Sequence, residues 1–268
     1  MIVDIETDAV ILLGHGSRDR AAVEGFERFI AFFKKWSGLK QVSPAYLEQA
    51  EPSIPAAIDQ AVSKGAARIW AYPLFLFPGR HLLEDLPLLI SEGQKRHPQV
   101  AVYFGEALGS HPKLPELAKL RIDPAKEKSD PSGTALLVIG QGTAEPKGIA
   151  AFEAFTARLT PLLPYPHAVS CFAESAPPSI PEGIERCIAL GAKSIVAFPS
   201  LLFTGVTWRR IQSRIQAVRD QHPNLPIRMT DPFGIDPLLA EIVWEGIKRA
   251  RPIEEGQSGV VIKKVEDG

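Results

Sequence analysis

AVILLGHGSRD, residues 9–19, is the stretch from which the fold can be read. An unbroken apolar run that stops at a glycine reads as a buried strand. The glycines on both sides of His15 remove bulk and allow a tight turn, so the imidazole stands at the strand's end. A helix is expected to start near Arg20. Histidines on apolar faces are commonly core residues; the glycine brackets and the strand-end position set His15 apart as a candidate functional group.

The stretch has an echo. ILLGHGSRDR at 11–20 is followed by LLVIGQGTAEP at 136–146, and Gly14 and Gly16 recur 126 positions on as Gly140 and Gly142. The register holds through AYLEQAEPSIPAAI (45–58) against CFAESAPPSIPEGI (171–184), and KGAARIWAYPLFLFPG (64–79) against LGAKSIVAFPSLLFTG (190–205). It slips by one residue where FGEALGSHPKLPELA (104–118) meets MTDPFGIDPLLAEIV (229–243). Such a repeat, found before any element is placed, sets the architecture. Two domains are expected, 1–125 and 134–268, joined by the polar, proline- and glycine-containing linker RIDPAKEKSDPSG at 121–133.

Strands are expected at 9–13, 41–47, 67–73 and 99–104, and helices at 20–36, 54–64, 83–96 and about 113–120. Ser53 is the expected cap of the second helix, with Pro55 in its first turn. The second repeat gives strands at 134–139, 167–172, 193–199 and 226–230, and helices at 147–159, 180–190, 207–221 and 236–249. Alternation of this kind defines an α/β fold: two tandem repeats, each a mainly four-stranded parallel sheet flanked by helices, facing each other across a cleft. The VVIKKV run in the tail is compatible with an added edge strand or with no fixed structure.

Composition narrows the function. Hydrophobic residues make up 45% of the 268, and Lys+Arg 30 against Asp+Glu 31 leaves a formal charge of -1, without the net field that favours nucleic acid or an anionic membrane. Cys171 and Cys187 form no CxxC pair, which favours a reducing compartment. The N-terminal segment carries early carboxylates and lacks the basic region of a secretory signal, and no apolar run is long enough to cross a membrane. A cytoplasmic protein is expected.

Ligands of open parallel sheets bind beyond the carboxyl ends of the strands. In the first half those ends carry His15, Glu48 and His81, with His111 expected to approach the same edge. Two imidazoles and a carboxylate suit a divalent first-row metal and can exchange protons near neutral pH. The second half has Gln141 for His15, Thr207 for His81 and Asp236 for His111, while Glu174 matches Glu48. Gln and Thr are poor ligands and poor bases, so one competent site is expected, in the first half, with the second half as its other wall. The apolar loops Phe75–Pro78 and Leu201–Thr204 either line a cleft suited to a flat apolar ligand or pack the interface between the halves. Arg18 and Arg80 beside the histidines, and more weakly Trp208, Arg209 and Arg210, are candidates to meet ligand carboxylates.

HGSRD at 15–19, E-x-A-E-P-S-I at 48–54 and P-L-F-L-x-x-G-x-H-x-x-x-D-L-P at 73–87 resemble the CbiX/SirB-type sirohydrochlorin chelatases of the class II chelatase superfamily, over nearly the whole chain. The resemblance implies ATP-independent insertion of Fe²⁺ or Co²⁺ into sirohydrochlorin, for siroheme or cobalamin. It implies a two-repeat long form, a monomer with an internal pseudo-dimer. His15 and His81 would handle metal and accept protons, Glu48 would be their acidic partner at the metal, and Ser17, Arg18 and Arg80 would contact the macrocycle. No cofactor would be permanently bound, and the divalent metal would be a substrate.

Other classes fit less well. A dinucleotide fingerprint would need glycine where Asp19 stands, and Ser17 lacks a G-x-S-x-G elbow. A periplasmic binding module would need an export signal. A non-catalytic tetrapyrrole or metal carrier, and a chelatase preferring another metal such as Ni²⁺, use the same cleft and ligands.

Overall fold

In the computed structural model, which describes residues 2–122 and 131–253, the repeat becomes two sheets of the same strand order. The first contains β1 (Asp8–Gly14), β2 (Gln41–Tyr46), β3 (Arg68–Pro73) and β4 (Ala101–Phe104), ordered β2-β1-β3-β4 and parallel throughout. The second contains β5 (Thr134–Gly140), β6 (His167–Phe172), β7 (Ser194–Pro199) and β8 (Ile227–Met229), ordered β6-β5-β7-β8. Strand β1 is buried along its whole length and its side chains alternate: Val10 and Leu12 face one core, Ala9, Ile11 and Leu13 the other.

The helices are α1 (Arg20–Ser37), α2 (Ile54–Ser63), α3 (Leu86–Arg96), α4 (Leu114–Ile122), α5 (Pro146–Leu159), α6 (Ile180–Ala189), α7 (Val206–Gln221) and α8 (Pro237–Arg249). Helices α2 and α3 cover the outer face of the first sheet through Ile54, Ile58, Leu86 and Ile90. Helices α6 and α7 cover the outer face of the second through Ile180, Ile184, Ile211 and Ile215. Between the sheets lies a shared core, with Phe26, Phe29 and Phe33 of α1 and Phe152 and Phe155 of α5 fully or nearly buried in it.

The expected halves are not self-contained. Helix α4 leaves the first repeat and packs on α5 and β7 of the second, while α8 leaves the second and packs on α1 and β3 of the first. The approach of α8 is close: a Cβ at Gly246 would lie 2.0 Å from the Tyr72 hydroxyl. Leu239, Ile242, Val243 and Ile247 of α8 are fully buried. At about 1.5–3 kcal/mol per side chain this gross burial is roughly 6–12 kcal/mol, the size of a domain's whole net stability. The chain then adds β9 (Arg251–Pro252) antiparallel to β4, giving the first sheet five strands where four were expected. The VVIKKV run lies outside the described residues.

The exchanged helices are tied by polar contacts as well. Arg121 of α4 donates to the Phe233 carbonyl and to Asp236 (both 2.8 Å). Lys113 reaches Glu241 (2.7 Å) and Glu245 (2.6 Å) on α8. Among the described residues no helix is long and apolar enough to cross a membrane.

Candidate functional site

In the strand order β2-β1-β3-β4 the crevice opens between the carboxyl ends of β1 and β3, where the chain turns to opposite sides of the sheet. His15 follows β1 and His81 follows the loop after β3, which is why residues 66 apart in sequence become neighbours. Their rings meet edge to face, centroids 4.8 Å apart and planes at 89°. Both side chains are about half exposed, 45% and 44%.

Gly16 locks the first histidine's loop to the next. Its φ is +85°, and a Cβ there would lie 1.7 Å from the carbonyl oxygen of Glu48. That approach lets the backbones zip together, Leu47 N–H donating to the Gly14 carbonyl (3.0 Å) and Glu48 N–H to that of His15 (3.1 Å). The Glu48 carboxylate then lies 3.5 Å from His15 Nδ1. Ser17 faces the cleft, and its hydroxyl accepts the Asp19 N–H at 3.0 Å, closing the turn.

His81 opens a single π-helical turn, His81–Asp85, in which Leu86 N–H reaches the His81 carbonyl. Such turns are frequent at functional sites. Pro87, at the start of α3, has no N–H to offer the carbonyl of Leu83, and the chain widens in the turn before it. Within this turn His81 Nδ1 lies 2.7 Å from Asp85 Oδ2. Sequence reasoning contained Asp85 in a motif but gave it no role; the signal was a carboxylate four residues after a histidine in a predicted helix, where the two side chains share a face.

Of the trio expected at the metal, His15 lies against both His81 and Glu48. Among the described residues no group of three or more His, Cys, Asp or Glu side chains is arranged, as it stands, to hold a metal ion. The fold assembles instead a histidine pair, each member with one carboxylate at Nδ1. Arg80 lines the cleft and pairs with Glu84 at 3.2 Å, whereas Arg18 is exposed and does not line it. His111 lies elsewhere. It is 5% exposed, its Nδ1 accepts the Lys113 N–H at the start of α4 (3.2 Å), and its Nε2 donates to Glu245 of α8 (3.2 Å). Asp236 does the same service for α8, accepting the Leu238 N–H at 2.8 Å. The His111/Asp236 correspondence is thus one of helix caps, and burial holds His111 below the ordinary imidazole value.

The second repeat rebuilds the loops without the chemistry. Gly142, at φ +99°, would place a Cβ 1.6 Å from the Glu174 carbonyl, and Ala173 and Glu174 donate to Gly140 and Gln141 as their counterparts do. Glu174 is paired with Arg210, so its carboxylate is neutralised by a guanidinium in place of an imidazole. Arg209 crosses to the first repeat and pairs with Asp19. Of the three residues after the second apolar loop, Trp208 and Arg210 line the cleft.

The apolar loops serve both expected roles. Phe77 packs against Phe152 and Phe155 of α5 (5.3 and 5.7 Å between centroids), and Phe203, 126 positions on, packs against Phe29 of α1 at 6.0 Å. Each loop anchors itself in the opposite half, and its remaining residues line a cleft of about 950 Å³ that also holds His15, His81, Gln141 and Thr207. Burial, then the Glu27 carboxylate, raises the Tyr46 phenol on its wall well above the ordinary value.

Two sheets of order 2-1-3-4, joined through a shared core and carrying one histidine pair at the β1/β3 crevice, define a two-repeat chelatase-like α/β protein. The CbiX family model matches residues 9–125 and 135–250, and the chain belongs to that family. A sirohydrochlorin cobaltochelatase of Priestia megaterium is 33% identical over 257 residues, 94% of this chain and 81% of the relative. A sirohydrochlorin ferrochelatase of the same organism is 27% identical over 209 residues, 78% of each chain. The structure of SirB from Bacillus subtilis with Fe³⁺ superposes with a TM-score of 0.79 at 22% identity, covering 91% of this chain and 95% of that one.

Proposed function

We propose that the protein inserts a divalent metal ion, Fe²⁺ or Co²⁺, into sirohydrochlorin without ATP, as a chelatase of siroheme or cobalamin formation. The observation that carries this reading is the histidine pair, 4.8 Å apart, at the wall of a cleft large enough for a macrocycle. The metal is a substrate. Imidazole nitrogen suits both ions, and a half-exposed pair can take an ion from water and release it.

Metalation removes two pyrrole N–H protons, and neutral imidazoles are competent acceptors near neutral pH. The apolar segments of the two loops flank the flat ring, and Ser17 and Arg80 meet its polar side arms. The second repeat supplies wall and not chemistry, since Gln141 and Thr207 accept no proton at neutral pH.

The test is an anaerobic spectrophotometric metalation assay with sirohydrochlorin and Fe²⁺, Co²⁺ or Ni²⁺ in parallel. His15→Ala and His81→Ala are each expected to lower turnover at least a hundredfold, while Gln141→Ala and Thr207→Ala stay within a few-fold of wild type. Near-normal turnover in both histidine variants overturns the site. A wild-type protein that binds the macrocycle without accelerating metalation is a carrier, and overturns the reaction.

A further inference from the structure

We infer that Asp85 is a positioning residue that fixes the tautomer and direction of His81; the inference rests on the proposed histidine site and adds a carboxylate to it. A neutral imidazole carries one N–H, and an ionised carboxylate only accepts. The 2.7 Å contact between His81 Nδ1 and Asp85 Oδ2 therefore puts the hydrogen on Nδ1 and leaves the lone pair on Nε2. A lone pair held in one direction is what a metal ion or a pyrrole proton needs. Free histidine in water favours the opposite tautomer, with hydrogen on Nε2, so the carboxylate reverses the intrinsic preference.

Two further observations point the same way. Asp85 runs into α3 with helical backbone (φ −72°, ψ −45°) and its side chain makes no capping hydrogen bond there, its carboxylate pairing with the His81 ring. The internal repeat also acts as a natural double substitution. Where His81 is replaced by Thr207, Asp85 is replaced by Ile211, a fully buried core residue. Glu48, by contrast, keeps its counterpart Glu174 although His15 has become Gln141. Asp85 is lost together with its histidine; Glu48 is not.

The experiment uses the full chain with Asp85→Ala, Asp85→Asn and Asp85→Glu. Three quantities are read: Co²⁺ affinity from its visible spectrum without macrocycle, separate KM values for metal and tetrapyrrole, and the His81 tautomer from ¹⁵N ring shifts. Loss of such an outer carboxylate commonly weakens metal binding about 10–100-fold. Asp85→Ala should weaken Co²⁺ binding and raise the metal KM by that factor. It should leave the tetrapyrrole KM within about twofold, and move the His81 hydrogen to Nε2. Asp85→Glu should restore part of the affinity, and the near-isosteric Asp85→Asn keeps the question open to measurement if Asp85→Ala folds poorly. An unchanged Co²⁺ affinity and tautomer in Asp85→Ala, or equal increases in both KM values, overturns the assignment. A wild type that binds Co²⁺ through an oriented His81 but inserts no metal overturns the proposed reaction and leaves the role of Asp85 standing. A wild type that binds no Co²⁺ overturns both.

Discussion

Replacing Gly16 and Gly142 by alanine, one at a time, separates the architecture of the site from its chemistry. Both glycines are left-handed, at φ +85° and +99°, and in both a Cβ would fall within 1.7 Å of a backbone carbonyl oxygen from the following strand loop. An L-residue in left-handed backbone costs about 1–2 kcal/mol. The overlap is with backbone, so Glu48 or Glu174 must move away, and the hydrogen bond from its N–H to His15 or Gln141 is weakened, at about 1 kcal/mol. Each variant should therefore lose about 2–3 kcal/mol, which at roughly 3 °C per kcal/mol for a protein of this size is about 6–9 °C in Tm. Calorimetry should give two similar shifts. Turnover measured well below both transitions should not be similar. Gly16→Ala displaces His15 and should lower metalation more than tenfold, whereas Gly142→Ala displaces Gln141 and should leave it within about threefold. Shifts under about 1 kcal/mol in both variants would refute the packing argument, and equal loss of turnover would refute the one-sided site.

Two further outcomes follow from contacts between the repeats. His111 is held neutral by burial among Glu245, Glu241, Lys113 and Arg249, so its folded pKa lies below its unfolded value near 6.5. As pH falls below that value the unfolded chain binds the proton first, and stability drops by up to about 1.4 kcal/mol per pH unit. Urea midpoints between pH 7 and 5.5 should fall in wild type and flatten in His111→Asn, which keeps an acceptor for the Lys113 N–H. Phe77→Ala and Phe203→Ala, at equivalent positions in the two apolar loops, should each cost roughly 2–4 kcal/mol in chemical denaturation. A loss confined to one of them would show that the loops do not anchor the halves reciprocally.

The α/β alternation, the sheet edge that carries His15 and His81 and the difference between the repeats there were legible because each leaves a local mark. An apolar run stopped by Gly14, a glycine at 16 and a histidine between them are sufficient to place His15 at a strand end, and the shift of 126 residues pairs it with Gln141. The helix exchange was not legible. The apolar stripes of α4 and α8 show which face of each helix is buried and are silent on which sheet it covers. His111 was misplaced for a related reason: a histidine after a strand and before a helix looks alike whether it enters a cleft or caps the helix, and its partner Glu245 is 134 residues away. Arg209 could not be read because Asp19 meets it only across the assembled cleft. Glu48 was read for its charge; its backbone carbonyl and N–H, which lock the loop that carries His15, leave no such mark in the sequence.

The crossing of α4 and α8 also bears on how such a chain can change over generations. Each sheet is roofed by a helix encoded in the other repeat, so a shortened gene bearing the first repeat alone would need a second copy of its product to cover its own sheet and to seat its exposed apolar helix. The second repeat therefore has a packing duty besides its part in the cleft wall. Its cleft edge carries Gln141, Thr207 and Ile211 where the first repeat has His15, His81 and Asp85, while Gly140, Gly142 and the phenylalanines at 152, 155 and 203 match their first-repeat counterparts.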